Sequence, residues 1–333
     1  MSLSVGGVGG AGDLGWPLVA LAALAGVLLD RLFGEVSRWH PLVGFGRIAT
    51  AIERRMNRTP AALAWSRVVG LVAWAITVLP FVLLAEWLVV MARDVSPWLV
   101  AALNAIALYF AIGARSLHDH IAPIVRALCD ADLPRARALA SRIVSRDLSE
   151  AADEPIARAA VESALENGSD AIFVPLFWLV VAGAPGVVLY RLANTLDAMW
   201  GYRNARFTGF GWAAARIDDV LNWMPARLTA MSYALLGQTV GHTADALRCW
   251  RGQAPHWSSP NAGPVMAAGA GSLRVRLGGA ACYEGVEETR PPLGTGEPAT
   301  AADITRALTL VSRTLRLWLG MLALIAAVVG SVS

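Results

Sequence analysis

The sequence contains no lysine; all 28 of its basic residues are arginine. That absence excludes a P-loop lysine, a Schiff-base lysine and any lysine acid or base. Charge of either sign is scarce, at 16% of 333 residues, against about 25% in a typical soluble domain. Cysteine is scarce too. Cys129, Cys249 and Cys282 are odd in number and far apart, which supports neither a disulfide framework nor a metal knuckle. The formal net charge is only +3, so no nucleic acid partner is expected. No recognisable nucleotide-binding signature is present either. In place of charge there is apolar surface, 56% of the chain. A disordered chain and an ordinary water-soluble barrel or sandwich are both excluded. The expectation is an all-α, polytopic integral membrane protein with about four to six membrane-embedded helices and a cytoplasmic helical and loop portion.

Long apolar runs carry that reading. Leu14–Phe33, Val68–Met91, Pro97–Ala114 and Leu315–Val332 each approach the roughly 20 residues that cross a bilayer core. Ile172–Ala193 is a fifth run, broken by Gly183-Ala-Pro-Gly186, and the break suits a re-entrant hairpin or a bent helix better than a straight span. Met224–Val240 is weaker, with Arg227 and Gln238 inside it, and reads as interfacial or packed against protein. The N-terminal segment lacks a basic leader, so no cleaved signal peptide is expected. Six arginines follow the first run (Arg38, Arg47, Arg54, Arg55, Arg58 and Arg67), and seven lie from Arg115 to Arg158. The positive-inside bias puts both loops in the cytoplasm and the N-terminus outside. Thirteen more arginines from Arg191 to Arg316 put that segment in the cytoplasm as well, provided that Ile172–Ala193 makes no single net crossing or that Met224–Val240 crosses back.

The chain thus reads as one membrane-embedded domain, 1–333, with a cytoplasmic helical insertion over 115–170 and a mainly cytoplasmic region carrying the chemical motifs over 194–312. Two or three helices are expected in the charged, Ala-rich stretch Ser116–Asn167. Asp132 with Pro134 marks a helix start, and Asp147 with Glu150 mimics a capping box. Ser258–Pro298 is dense in Gly and Pro without a sustained period and reads as mostly loop.

Polar residues unusual for so apolar a chain gather in a few places. Asp30 and Arg31 end the first run, followed by Glu35 and His40-Pro41. Arg31 reads as a headgroup anchor, whereas an acid such as Asp30 beside the membrane needs a partner or a task. Glu162, Glu166 and Asp170 share one helix face by spacing and repel one another, which a divalent cation would offset. A solvated face ending in an Asn167-Gly168 cap fits the same spacing equally well. Asn194 and Asp197 share a face directly after an apolar stretch. Arg216, Asp218, Asp219 and Asn222 follow, and adjacent acids beside Arg and Asn are what a Mg²⁺–phosphate site needs. An ion-pair network between helices is the alternative for that group. Ser259-Pro-Asn261-Ala-Gly263 could present backbone N–H groups to an anion, or serve as a tight connection. His118 and His120 point apart on a helix, so no zinc is expected there.

These residues carry a resemblance. The chain resembles the CobD/CbiB cobalamin-biosynthesis proteins, the adenosylcobinamide-phosphate synthases, from Asp30 to about Gly294. The strongest stretch is Glu166-Asn-x-Ser-Asp170, Pro175-Leu-Phe-Trp, Gly183-Ala-Pro-Gly186, Asn194-Thr-Leu-Asp197, Gly201-Tyr-Arg-Asn204, Phe210-Gly, Ala215-Arg-Ile-Asp-Asp219 and Pro225-Ala-Arg-Leu-Thr. His40-Pro-Leu-Val-Gly44, Ser259-Pro-Asn-Ala-Gly263 and Arg276-Leu-Gly-Gly279 extend it. Four positions depart from the pattern: Glu35-Val36 stands where Asp-Pro is expected, and Gly168 and Ala171 differ beside intact carboxylates.

The resemblance implies a multi-pass protein of the bacterial inner membrane with its active site facing the cytoplasm. It implies ATP- and Mg²⁺-dependent amide bond formation, joining adenosylcobyric acid to (R)-1-aminopropan-2-ol phosphate or to the free amino alcohol. The adenosylated corrinoid and the amino alcohol are then the substrates, membrane lipid the surroundings, and other membrane-bound cobalamin-assembly enzymes the expected partners. On this reading Glu166, Asp170, Asp218 and Asp219 hold Mg²⁺. Arg203, Arg216 and Arg227 hold phosphates, and Tyr202, Asn222 and Asn261 contact substrate. Asn194 orients, and Asp197 or His40 takes the ammonium proton. Two rivals stand beside it. A membrane prenyltransferase would need a further acid where Gly201 stands, and a non-catalytic sensor or transport protein would concentrate its ionisable groups at mid-span.

Overall fold

The computed structural model describes residues 14–35, 41–57, 62–144, 146–202, 204–237, 239–283 and 286–332. Helices dominate it, and five stretches among the described residues are long and apolar enough to cross a membrane: Trp16–Phe33, Leu63–Arg93, Pro97–Cys129, Asp153–Trp200 and Ala301–Ser331. In four of them most of the apolar window faces outward, as a lipid-facing span requires, whereas Asp153–Trp200 is mostly buried within the protein. The protein is an all-α, multi-pass membrane protein with one small sheet among the described residues. Its chain forms two compact units, each discontinuous in sequence: Met1–Ile112 with Val174–Leu221 and Leu319–Ser333, and Gly113–Phe173 with Asn222–Trp318.

The first unit contains α1 (Trp16–Phe33), α2 (Pro41–Met56), α3 (Leu63–Arg93), α4 (Pro97–Ala111) and α8 (Val174–Trp200). Helix α1 packs on α4 at a point where Gly26 leaves room for Leu108, whose nearest side-chain atom would lie 2.7 Å from any added Cβ. Helix α2 is amphipathic. It buries Phe45, Ala49 and Glu53 and exposes Arg54 and Arg55 in its last turn, the pattern of a helix lying at an interface. Phe45, Trp74, Tyr190, Leu196, Trp200 and Phe210 fill the core between α2, α3, α8 and the loop that follows α8.

The segment α8 consists of two helical arms that fold back at Gly183, whose φ of 59° and ψ of −152° are open only to glycine. Asn104 on α4, buried to 4% exposure, accepts the Ala184 N–H at 2.6 Å. A side-chain amide thus takes over where the helical ladder is interrupted. Of the two forms expected for this run, the structure has the fold-back: a Cβ on Gly186 would meet the Trp178 carbonyl oxygen, eight residues earlier, at 2.8 Å, and Trp178 and Asn194, on opposite sides of the break, bond Leu221 and Asp218 within one turn of the next helix.

The second unit contains α5 (Ala114–Cys129), α6 (Leu133–Ala140) and α7 (Asp153–Gly168), so the region expected to hold two or three helices holds three among the described residues. Asp132 caps α6, accepting the Arg135 N–H at 3.1 Å. Asp147 does not cap α7: its carboxylate closes a turn onto the Ser149 N–H at 2.9 Å, and α7 starts after Ala152. The Asn167-Gly168 cap is absent as well. Helix α7 continues through a π-helical turn, Ser169–Phe173, into α8.

The structure also corrects the expected loop over Ser258–Pro298. Beyond α9 (Trp212–Leu235) and α10 (Val240–Gln253) lies α11 (Ala262–Leu273), buried along its whole length. A helix buried on every side has no amphipathic period to read. Its small residues permit close packing, since a Cβ on Gly271 would sit 2.7 Å from the Ala246 backbone and one on Gly269 within 2.7 Å of Leu165. A hairpin follows, β1 (Val275–Tyr283) with β2 (Val286–Gly294), and β1 pairs in parallel with the short β3 (Glu297–Pro298). Pro291 and Pro292 are tolerated because β2 is an edge strand. The last helix is α12 (Ala301–Val332).

Candidate functional site

In the first unit the end of α8 and the start of α9 bring two of the motif segments together. Asn194 donates to the Asp218 carboxylate at 3.3 Å, and Asp219 pairs with Arg216 at 3.7 Å. Asp219 lies close enough to Asp197 for the two carboxylates to repel. Asn194, Asp197, Asp218 and Asp219 are half-buried, while Arg216 is open to solvent. One carboxylate oxygen of Asp197 packs directly over Gly201, where any Cβ would collide with it. That contact explains the glycine that ends the helix. Tyr202 is 61% exposed beside Phe207, and Asn204 closes the next turn by accepting the N–H groups of Arg206 and Phe207. The turn is fastened to α2. Arg206 grips the buried Glu53 with two bonds, of 3.0 and 2.7 Å, and Asn57 donates to Glu53 and to the Arg206 carbonyl.

In the second unit a polar cavity of about 680 Å³ is lined by α7, the segment before α11, and β2. Glu166 faces it, with Ser163, Asn167, His256 and Ser259. One turn before Glu166, Glu162 is 1% exposed and held from three sides. Arg146 and Arg290 both bond its carboxylate, Arg290 at 2.8 Å, and the Gly278 N–H donates at 2.8 Å. Gly278 can aim that N–H because it sits in a bulge of β1 with φ of 78°. Arg290 also stacks on Trp257. Glu162 is therefore a satisfied structural charge, whereas Glu166 borders open space.

Asp170 lies in the π-helical turn near Tyr233, whose hydroxyl donates to the Leu165 carbonyl at 3.2 Å. Burial, with the Asp170 charge beside it, pushes the Tyr233 phenol up, which keeps it a neutral donor. Arg227 bonds the Asn261 side chain at 2.6 Å and the Pro260 carbonyl at 2.8 Å, and stacks on Trp223. Burial pushes its guanidinium below the ordinary value. Asn222 is buried on α9. In the Ser259–Gly263 turn, the Ser259 hydroxyl accepts the N–H groups of Asn261 and Ala262, so the turn works as a tight connection into α11.

The candidate residues thus divide between the units. Asn194, Asp197, Arg216, Asp218 and Asp219 gather in the first, with Tyr202 on the following turn; Glu166, Asp170, Asn222, Arg227 and Asn261 belong to the second. His40 and Arg203 lie outside the described residues. Sequence reasoning missed Arg146, Arg290, His256 and Trp257 around the polar cavity, and the Glu53–Arg206 clasp. The Gly278-Gly279 pair was the signal that an N–H is aimed somewhere.

Residues 23–311 match the family model described as CobD/Cbib protein. The chain is 56% identical over 301 residues to the cobalamin biosynthesis protein CobD of Stutzerimonas stutzeri, covering 90% of this chain and 96% of that one. It is 53% identical over 311 residues to the CobD of Chromobacterium violaceum, covering 92% and 96%. Against the CobD of Mycobacterium tuberculosis it is 40% identical over 296 residues, covering 89% and 92%. No solved structure matches. A match of this extent means that the chain belongs to the CobD/CbiB family.

Proposed function

We propose that the protein acts in cobalamin biosynthesis as an ATP- and Mg²⁺-dependent synthase, joining a propionate carboxylate of adenosylcobyric acid to (R)-1-aminopropan-2-ol phosphate or the free amino alcohol. Family membership supports the pathway. The observation that carries the chemistry is the gathering of Asn194, Asp197, Arg216, Asp218 and Asp219 from two sequence segments onto one patch. A carboxylate is a poor electrophile, and ATP activates it as an acyl phosphate. The amine nitrogen then attacks the acyl carbon, phosphate leaves, and the ammonium proton goes to a base. Such chemistry needs charge stabilisation and positioning above all.

Among the described residues no three His, Cys, Asp or Glu side chains are gathered as an all-protein metal cage would need. Mg²⁺ does not need one, because one or two carboxylates plus substrate phosphates hold it. Half-buried Asp218 and Asp219 fit that demand, and Mg²⁺ bound there would neutralise phosphate charge. Arg216, already beside Asp219, would hold a phosphate oxygen, and Asn194 would fix the Asp218 carboxylate. Asp197 would accept the ammonium proton. In the second unit Glu166 and Asp170 remain the proposed acids, with the polar cavity at Glu166 suited to a polar substrate portion. The site would face the cytoplasm of a bacterial inner membrane, near other cobalamin-assembly enzymes. Asp219→Asn in detergent-purified protein should lower turnover at least about 100-fold, followed by corrinoid mass, while the far-ultraviolet spectrum stays unchanged. Wild-type turnover in that variant would remove the Mg²⁺ assignment.

A further inference from the structure

A second cavity, of about 260 Å³, lies in the first unit where α2 meets α3, α4 and α8. Every side chain lining it is apolar except one, Arg191 on α8. Arg191 is half-buried; its Nε is buried without a hydrogen-bond partner, and it makes no ion pair among the described residues. Phe45 and Phe81, packed edge to face at 5.8 Å, form part of the wall, and Leu84 and Leu88 stand at its outer rim with 51% and 40% of their surface exposed. The cavity therefore opens sideways, on the outward face of a membrane-spanning helix. The first turn of α2, with Pro41 and Leu42, borders the same space and carries no acid. Its positive dipole end adds to the arginine.

An arginine at membrane depth requires an anionic partner, and an unpaired buried N–H is costly. The planar guanidinium fork matches a phosphate. Apolar walls beside that fork exclude a small hydrated ion and accept hydrocarbon. We infer that this cavity binds one anionic phospholipid from the bilayer, its phosphate on Arg191 and the start of an acyl chain between Phe45, Phe81, Leu84 and Leu88. The site makes no use of the residues proposed for amide formation, so it stands or falls apart from that reading.

The test takes the full-length protein through nanodiscs of phosphatidylglycerol or phosphatidylcholine, then detergent extraction and native mass spectrometry. Wild-type protein should retain one phosphatidylglycerol per chain and melt higher in that lipid than in phosphatidylcholine. Arg191→Gln should lower retention about tenfold, the worth of a charge-assisted hydrogen bond, and Arg191→Lys should recover part of it. Ala85→Phe, which fills the cavity and keeps the arginine, should also reduce retention. Equal retention of the two lipids by wild-type protein would overturn the inference even if a variant fails to fold. Undiminished retention in folded Arg191→Gln would do the same. A thermal shift with inorganic phosphate equal to that with phosphatidylglycerol would make this an anion site with no role for the acyl chain, and so would overturn the lipid assignment.

Discussion

Glu162 shows how this chain manages a buried charge. Two arginines, 16 and 128 residues away in sequence, and a bulge N–H surround a carboxylate that is 1% exposed. Glu162→Gln would leave Arg146 and Arg290 without their countercharge, and breaking such a buried pair costs about 3–5 kcal/mol. The variant should melt far below wild type in detergent; an unchanged melting curve would mean that the arginines are solvated and the clasp is unimportant. Spacing put Glu162 on one face with Glu166 and Asp170, but the partners that neutralise it are too distant in sequence for any local pattern to show. Asn194 and Asp218 were recognisable as candidates, because polar residues so close to apolar runs stand out. Their hydrogen bond was not, since 24 residues and a helix reversal separate them.

At the scale of elements, the spans were legible because hydrocarbon thickness imposes a run length that few other structures require. The break in the fifth run was legible too, from Gly183 and Pro185. What closes that break was not: Asn104 comes from another helix and accepts the Ala184 N–H within the apolar layer. Asn104→Ala leaves that N–H unpaired and should cost about 1–3 kcal/mol. Thermal unfolding in micelles checks it, and no loss would mean that water or lipid reaches the kink. Gly183→Ala should destabilise by a similar amount, about 1–3 kcal/mol, because its ψ and positive φ exclude a side chain. Helix α11 and the β1–β2 hairpin escaped prediction for opposite reasons. The helix is buried all round and so lacks a period, whereas the Pro291-Pro292 pair hid a strand that lies at a sheet edge.

For the whole molecule, the proposed orientation rests on the distribution of arginine, and cysteine placement makes it measurable. Cys129 is exposed at the end of α5, and Cys249 is buried on α10. With Cys282 replaced by serine, a membrane-impermeant maleimide should leave intact cells unlabelled and label Cys129 once the inner membrane is opened. Labelling of intact cells would reverse the proposed topology. Amide synthesis at the cytoplasmic face is the proposal on which the assigned residue roles depend, and one reconstitution decides it. Purified protein is mixed with adenosylcobyric acid, ATP, Mg²⁺ and either aminopropanol phosphate or aminopropanol, and the corrinoid is followed by mass spectrometry. The expected product is a corrinoid heavier by the amino alcohol less one water, formed only when ATP is present. A corrinoid of unchanged mass with folded protein, even after membrane extract of the source cells is added, would contradict it.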